Sequence, residues 1–110
     1  MLEHIGRGLE RYMTTLAARQ NVVAANIANI DTPGYKTRDI DFRAELESQL
    51  KAPHVVEVSG LAVKNDGNNV SMDREARLLA ENALRFNIAS NMVRGELRSI
   101  RSAIQEGKTA

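Results

Sequence analysis

The acidic and histidine side chains are the residues of this chain that could do chemistry, and their spacing argues against an active site. Asp39 and Asp41 alternate along a segment expected to be extended, which puts both carboxylates on one side of the backbone. Two carboxylates can act as general acid and base, but no partner base or pocket accompanies them, so we expect a solvated face. His4 and His54 lie far apart without clustered carboxylates, and there is no cysteine. The sequence therefore predicts no catalytic residue, no metal site, no cofactor and no enzyme.

Composition and charge exclude further classes of protein. The 110 residues suit one small domain, 1–110, and with 4% aromatic residues its core must be built from aliphatic side chains and alanine. So small a core leaves limited apolar surface to bury, and we expect stability to depend on partners. A formal net charge of +1 is too balanced to indicate a nucleic-acid partner. Neither a membrane span nor a basic segment followed by an apolar run is present, so we expect no membrane insertion and no cleaved signal peptide.

An abruptly ended helix is the organising feature of the chain. Residues 24–35 begin with alanines, which favour helix. Pro33 disfavours the helical region for Thr32, and Gly34 can supply the positive φ that the second central position of a type II turn requires. The side chains of Asp31 and Thr32 can hydrogen-bond the turn backbone. We therefore predict a helix that ends in a Pro-Gly turn.

Residues 1–31 are predicted to form one long amphipathic helix. Apolar residues recur every seven positions, and a second series starts three residues further on. The second series loses its apolar character at Arg19 and Asn26. The first series comprises Leu2, Leu9, Leu16, Val23 and Ile30, and the second begins with Ile5 and Tyr12. At 1.5 Å per residue the helix would measure roughly 45 Å, which is long for so small a chain.

The clearest periodicity lies in residues 71–106, which are predicted to form the second long helix. Ser71 suits its N-cap and Gly107 marks its end. Two seven-residue series run along the whole segment and favour a coiled-coil-like seam. They comprise Ala76, Ala83, Ser90, Leu97 and Ile104, and Met72, Leu79, Phe86, Val93 and Ile100. The predicted fold is all-α, with the two terminal helices paired as a coiled-coil-like hairpin.

The central segment, 32–70, is predicted to be irregular. A short helical stretch fits 43–50, one or two short β-strands fit the β-branched segment 54–63, and 64–69 is a polar loop. Periodicity leaves two interpretations open. In the first, a monomeric hairpin is capped by its own centre. In the second, the terminal helices bury their remaining apolar faces in neighbouring subunits.

The segment Ala25-Asn-Ile-Ala-Asn-Ile-Asp-Thr-Pro-Gly-Tyr-Lys36 resembles the signature of bacterial flagellar axial proteins, which form the rod, the hook and the hook–filament junction. In that family the N-terminal helix ends in an Asn-hydrophobic-Ala-Asn segment followed by Thr-Pro-Gly and Tyr or Phe. The extension Thr37-Arg-Asp-Ile-Asp-Phe42 and the run 82–104 resemble the basal-body rod proteins in particular. A dozen contiguous matching residues form a specific signal. Only 51–65 lacks support.

The resemblance implies a structural subunit of the proximal rod, polymerising helically with copies of itself and other rod subunits at the start of the drive shaft. It implies a FliE-like adapter and the membrane ring as neighbours. It also implies a periplasmic location, which the chain reaches from the cytoplasm through the flagellar type III export apparatus without cleavage of a signal peptide. The terminal helices would line the export channel. The alternative is a small helical-hairpin adapter or regulator that dimerises through its C-terminal heptad seam, giving a compact dimer at low concentration.

The residues expected to meet partners lie along both helices and in the turn. They are Leu9, Leu16, Val23, Asn26, Ile27, Asn29, Ile30, Asp31, Thr32, Pro33, Gly34, Tyr35, Leu79, Phe86, Val93, Leu97, Ile100 and Ile104. Asn26 and Asn29 are either solvated positions or, as the resemblance favours, hydrogen-bonding positions that register neighbouring helices.

Two further patterns carry alternative interpretations. Phe42 and Leu46 resemble the short element by which early flagellar substrates engage the export gate, but they also form an ordinary hydrophobic pair one helical turn apart. Arg94, Arg98 and Arg101 form a basic stripe, which is either a solvated helix face or a contact for acidic neighbours, with nucleic acid a weaker third choice.

Overall fold

The chain is an antiparallel helical hairpin with a folded centre, as a computed structural model that describes residues 2–47 and 53–109 shows. Its elements are α1 (Leu2–Ala28), β1 (Arg38–Ile40), α2 (Phe42–Glu47), β2 (Val55–Glu57) and α3 (Met72–Thr109). β1 and β2 form a two-stranded antiparallel sheet in which Asp39 pairs with Val56. The predicted pair of long terminal helices with a mixed centre is thus confirmed.

The hairpin is long and thin. Its dimensions are 71 × 25 × 17 Å and its radius of gyration is 18.7 Å, against about 13 Å for a compact chain of about 100 residues. The amide of Asn82 contacts the Leu16 carbonyl at 3.3 Å, and a Cβ on Gly6 would lie 3.5 Å from Glu96 Oε1. The two long helices α1 and α3 therefore run in opposite directions, and the last turns of α3 extend beyond the start of α1.

Both helix ends differ slightly from the sequence prediction. α1 ends at Ala28, three residues before the predicted boundary, because the chain turns through 3₁₀-type hydrogen bonds from Asn29 onward. α3 continues through Gly107 to Thr109, so the expected stop at Gly107 is wrong. A glycine inside a helix costs only about 1 kcal/mol against alanine, and no proline follows to break the helix. The N-cap prediction holds, since the Ser71 hydroxyl accepts the Arg74 N–H at 3.2 Å.

The turn after α1 is the predicted one. The Tyr35 N–H donates to the Thr32 carbonyl at 3.2 Å across Pro33 and Gly34, and Gly34 has φ +74°. Proline at the first central position and positive φ at the second define a type II turn. The turn sends the chain back along α1 toward β1.

Polar side chains outnumber apolar ones in the interior. Among the described residues, six apolar and nine polar or charged residues are buried, so hydrogen bonds as well as apolar packing must hold the central segment in place. The apolar set is Leu16, Val23, Ile40, Val70, Leu78 and Ala89. The polar set is Thr15, Asn26, Thr37, Asp39, Glu45, Asn68, Asn69, Glu75 and Asn82.

Candidate assembly site

Asn26 joins α1 to the central segment. Its Nδ2 donates to the Arg38 carbonyl at 2.8 Å, while its Oδ1 accepts the Arg38 N–H at 3.1 Å and the Tyr35 hydroxyl at 3.0 Å. The side chain therefore pairs with the edge of β1 as a neighbouring strand would. Since Asn26 is fully buried and its amide is used within the chain, it does not register a neighbouring helix. Its polarity in the second heptad series is explained by this contact.

A cluster of charges connects α1, β1 and α3. Arg19 holds both carboxylate oxygens of Asp39, at 2.9 and 3.0 Å, and Arg74 contacts the second oxygen at 2.6 Å. Arg74 also donates to the buried Glu75 at 2.9 Å. Asp39 is 8% exposed, so the expectation that it belongs to a solvated face is wrong. A carboxylate this buried requires paired cations, and two separate helices supply them.

The ion pairs decide the charge state of Asp39. Burial by itself raises the pKa of its carboxyl, but the hydrogen bond from Arg19, the Ile40 N–H at 2.7 Å and the two positive charges outweigh burial. The net result is a pKa below the usual value for aspartate. Asp39 is therefore ionised at neutral pH, and its charge stabilises the junction of the three elements.

The polar loop before α3 caps the turn that follows α1. Asn68 Nδ2 donates to the carbonyls of Asn29 and Thr32, both at 2.8 Å, and its Oδ1 accepts the Val70 N–H at 2.8 Å. Lys64 Nζ lies 3.4 Å from the Ile30 carbonyl. The loop therefore gives the carbonyls of this turn side-chain donors in addition to the turn's own backbone N–H groups.

A second contact fixes the same loop against the turn. The Gly34 N–H donates to the Asp66 carbonyl at 2.9 Å, and Asn69 Oδ1 accepts the Thr37 N–H at 2.6 Å. Gly67 has φ +86°, and a Cβ there would lie 3.3 Å from Gly34 Cα. Thr37 and Asn69 are buried. The turn and the loop are therefore one unit, which sets where α3 begins relative to α1.

Asn68→Ala is expected to lower the free energy of unfolding by about 2–3 kcal/mol, because three hydrogen bonds of a fully buried amide are lost at once. Chemical denaturation followed by circular dichroism measures the change. The control is Asn65→Ala, in the same loop but exposed, which is expected to change stability by less than about 0.5 kcal/mol. Equal effects of the two substitutions would contradict the capping role of Asn68.

Phe42 starts α2 and packs against α1. Its ring meets Tyr12 edge-on with 5.8 Å between centroids, and the guanidinium of Arg19 lies 5.3 Å from its centroid. Tyr12, Arg19 and Asn26, the second heptad series of α1, thus all face the central segment. The Leu46 side chain, the other half of the expected export-gate element, lies outside the described residues.

α3 carries two apolar strips on nearly opposite sides. Leu84 and Phe86 belong to different strips, and two residues correspond to about 200° around a helix. The inner strip consists of Phe86, Val93, Leu97, Ile100 and Ile104, and the outer strip of Leu84, Ile88 and Met92. All except the half-buried Val93 are exposed, from 36% at Ile100 to 61% at Leu84. These strips hold seven of the eleven large apolar side chains that are exposed among the described residues, and the other four are Val55, Val56, Val63 and Met72.

The outer strip of α3 was not predicted from the sequence. Its members recur every four residues, which is a helical signal, but the two heptad series that predict pairing with α1 do not include them. In contrast, α1 shows no exposed large apolar side chain among its described side chains, residues 6–28. Among the described side chains an apolar strip is therefore left uncovered on α3 and not on α1, whereas the second interpretation expected one on both helices, and the side chains of Leu2 and Ile5 lie outside the described ones.

The predicted contact residues divide into three groups by exposure. Leu16, Val23 and Asn26 are buried inside the chain and offer no surface. The half-buried ones are Leu9, Ile27, Asn29, Ile30, Tyr35, Leu79 and Val93, and the exposed ones are Asp31, Thr32, Pro33, Gly34 and four members of the inner strip. The Asn29 side chain also makes two local hydrogen bonds at the end of α1. It donates to the Ala25 carbonyl at 2.8 Å and accepts the Thr32 hydroxyl at 3.0 Å. Among these predicted contact residues, the exposed ones therefore lie on α3 and in the turn.

Two searches of the described residues bear on other kinds of site. Within 2–47 and 53–109, no group of three or more His, Cys, Asp or Glu side chains is arranged to bind a metal ion. Over the same ranges, none of the helices has a stretch both long and apolar enough to cross a membrane.

Comparisons with known proteins agree on one family. The family model for "Flagella basal body rod protein" matches residues 12–36. This range includes the type II turn and the three positions of α1 that face the central segment. "Flagellar basal body rod protein FlgB" of Escherichia coli (strain K12) is 33% identical to this chain, and the alignment covers 83% of this chain and 86% of the relative. The protein of the same name from Salmonella typhimurium (strain LT2) is 35% identical, with the same coverage. That of Borrelia hermsii is 29% identical over 86% of this chain and 91% of the relative.

With 83% of this chain covered, the alignments reach both long helices, which the short family match alone does not do. The E. coli alignment spans 118 positions, more than the 110 residues of this chain, so that relative carries residues without a counterpart here. Identity above 30% across most of both chains is specific to one family, and it favours a rod protein over a dimeric adapter. The chain belongs to the FlgB family of flagellar basal body rod proteins.

Proposed function

We propose that the chain is a structural subunit of the bacterial flagellar basal-body rod, assembling with other rod components and with copies of itself. The observation that carries the proposal, beside family membership, is the pair of apolar strips on opposite sides of α3. Strips on opposite sides are buried by two different neighbours. Contacts between unlike surfaces propagate from subunit to subunit and build open helical assemblies.

The polar junction gives such a subunit its stiffness. A rod transmits torque, so its subunits must not bend where the central segment meets the helices. The Arg19–Asp39–Arg74 cluster joins three elements at one point, and Asn68 joins a fourth segment to the end of α1. On this proposal the chain is a single domain, 1–110, whose described part acts as one rigid unit.

The finer details of the proposal follow the family resemblance. The subunit occupies the proximal rod, next to a FliE-like adapter and the membrane ring, around the export channel. It reaches the periplasm through the flagellar type III export apparatus, without signal cleavage. The exposed turn residues Asp31, Thr32, Pro33 and Gly34 are suited to contact the next component, since they lie at one end of the hairpin.

Deleting the gene tests this role. We expect the deletion strain to be non-motile, with basal bodies that contain the membrane ring but no rod, as seen by electron microscopy of purified basal bodies. A plasmid copy of the gene restores both motility and the rod. Complete rods in the deletion strain, or a strain that swims normally, would refute the proposal.

For the export step, we propose that Phe42 and Leu46 engage the export gate while the chain is unfolded. In the folded chain the Phe42 ring packs against Tyr12, so the gate would meet this side chain only before folding. Phe42→Ala is expected to reduce the amount of subunit exported severalfold, measured by immunoblotting of periplasmic and cytoplasmic fractions against an unrelated export substrate.

Tyr12→Ala is the matched control for this variant, because it removes the other half of the same ring pair and leaves the proposed gate element intact. It is expected to destabilise the folded subunit about as much as Phe42→Ala and to leave export unchanged. If both variants were exported equally, the gate role of Phe42 would be rejected and its role would be packing alone.

A further inference from the structure

Three arginines in the second half of α3 lack the partners that its other arginines have. Arg77 and Arg85 each contact a carboxylate one turn earlier, at 3.8 and 2.6 Å. Arg94, Arg98 and Arg101 are exposed and, among the described residues, none of them has a carboxylate within 4 Å. Arg94 donates only to Asn91 Oδ1, at 3.2 Å. Their spacing of four and three residues places the three charges along one side of the helix.

This basic row borders the inner apolar strip. Leu97 and Ile104 lie next to Arg98 and Arg101 on adjoining parts of the α3 surface, and both are more than half exposed. A depression of about 350 Å³ is lined by Leu97 and all three arginines. An apolar strip with one charged border is the usual form of a surface that binds an amphipathic helix.

A groove between α1 and α3 continues from that depression. It has a volume of about 580 Å³ and shares Arg94 with the depression. Small residues, Ala17, Ala83 and Ser90, line it beside the exposed ring of Phe86. Small side chains let another helix approach closely. From Ala83 to Arg101 the combined surface is roughly 27 Å long, the length of a helix of about 18 residues.

We propose that this surface, the α1–α3 groove together with the basic row, binds an acidic amphipathic α-helix of another protein. The apolar ridge of that helix fills the groove, and carboxylates along one flank pair with Arg94, Arg98 and Arg101. The inference rests on the proposed function, in which the α3 strips meet neighbours, and it adds the chemistry of one neighbour.

Charge complementarity favours such a partner over a second copy of this chain. Next to the outer strip of α3, the Glu81 carboxylate already pairs with Arg85 of its own copy at 2.6 Å, so it is not free to pair with the basic row of another copy. A groove is also a poor match to a flat anionic lipid surface, whereas it suits a ridge of side chains.

The probe is a fluorescent 18-residue helical peptide with leucines at helical spacing and glutamates along one flank. Its twin carries lysines in place of the glutamates. Fluorescence anisotropy with the full chain is expected to show saturable binding of the acidic peptide, at least about tenfold tighter than that of the basic one and weakened by added salt. Equal binding of the two peptides, or no binding of the acidic one, would overturn the proposal.

The variant is Arg98→Glu, with Arg77→Glu as its control, since both arginines are exposed on α3 and only the first lies in the basic row. Arg98→Glu is expected to weaken binding of the acidic peptide about tenfold and to strengthen binding of the basic one. The control is expected to change neither affinity by more than about twofold. Equal effects of the two variants would refute the assigned site. Circular dichroism checks that both stay folded.

Other occupants give distinct results. Tighter binding of anionic phospholipid vesicles or of a DNA duplex than of the acidic peptide would overturn the proposal in favour of those partners. Competition by unlabelled chain at concentrations where it self-associates would point instead to a second copy. If the full chain did not bind the acidic peptide while the deletion strain still lacked the rod, this inference would be rejected and the rod function would stand.

Discussion

Replacing Asp39 by asparagine is expected to lower the free energy of unfolding by about 3 kcal/mol, because it removes the charge that two arginines from different helices share. Asparagine keeps the size of the side chain, so the loss reports on charge and not on packing. Arg19 and Arg74 are left largely buried without a carboxylate between them. Urea unfolding at neutral pH measures the difference.

Asp41→Asn is the matched control. Asp41 is exposed and its Oδ1 accepts the Ala44 N–H at 3.2 Å at the start of α2, a capping role that asparagine performs equally well. We expect a change below about 0.5 kcal/mol. The two aspartates appear equivalent in the sequence, so a similar loss at both positions would contradict the assignment of the charge cluster to Asp39.

The same comparison has a defined pH dependence. The pKa of Asp39 is lowered in the folded chain, so its stabilising contribution is fully present above the ordinary aspartate value of about 3.9 and is lost as the pH falls through the lower folded value. The stability difference between the natural chain and Asp39→Asn should therefore be constant from neutral pH to about pH 5 and shrink below about pH 4. A difference that stayed constant to the lowest pH would show that folding does not lower the pKa of Asp39.

Placing a charge in the inner strip is expected to abolish motility without unfolding the subunit. Leu97→Asp combined with Ile104→Asp changes two side chains that are more than half exposed, so the free energy of unfolding should change by less than about 1 kcal/mol. Buried against a neighbour, each carboxylate would instead lack a partner, at a cost of several kcal/mol. Swimming assays and electron microscopy of basal bodies measure the loss of the rod.

Ala103→Asp supplies the control on the same helix. It adds one carboxylate where the tested variant adds two, next to Ile104, but one residue corresponds to about 100° of rotation, which places it between the two strips. We expect motility to be retained. If this control also abolished motility, any added charge on the end of α3 would be harmful, and the assignment of the inner strip as an assembly surface would fail.

Local features of the sequence determined the helices, the turn and the family. The Pro33-Gly34 pair sets the type II turn, since its dihedral preferences belong to those two residues and need no distant partner. Heptad periodicity predicted both long helices, because helix formation depends on neighbours three and four residues away. The contiguous run 25–36 indicated the flagellar axial proteins, and 37–42 together with 82–104 indicated the rod proteins among them.

Only the tertiary structure decided what the polar residues do. Arg19 looked like a failure of the heptad series, and Asp39 like one of two solvated acids, yet they contact each other across twenty positions. Asn68, in a polar loop without a distinctive pattern, caps the turn that follows a helix ending 40 residues earlier. The sequence states that a side chain is polar, but whether it is solvated or paired depends on which distant segment lies beside it.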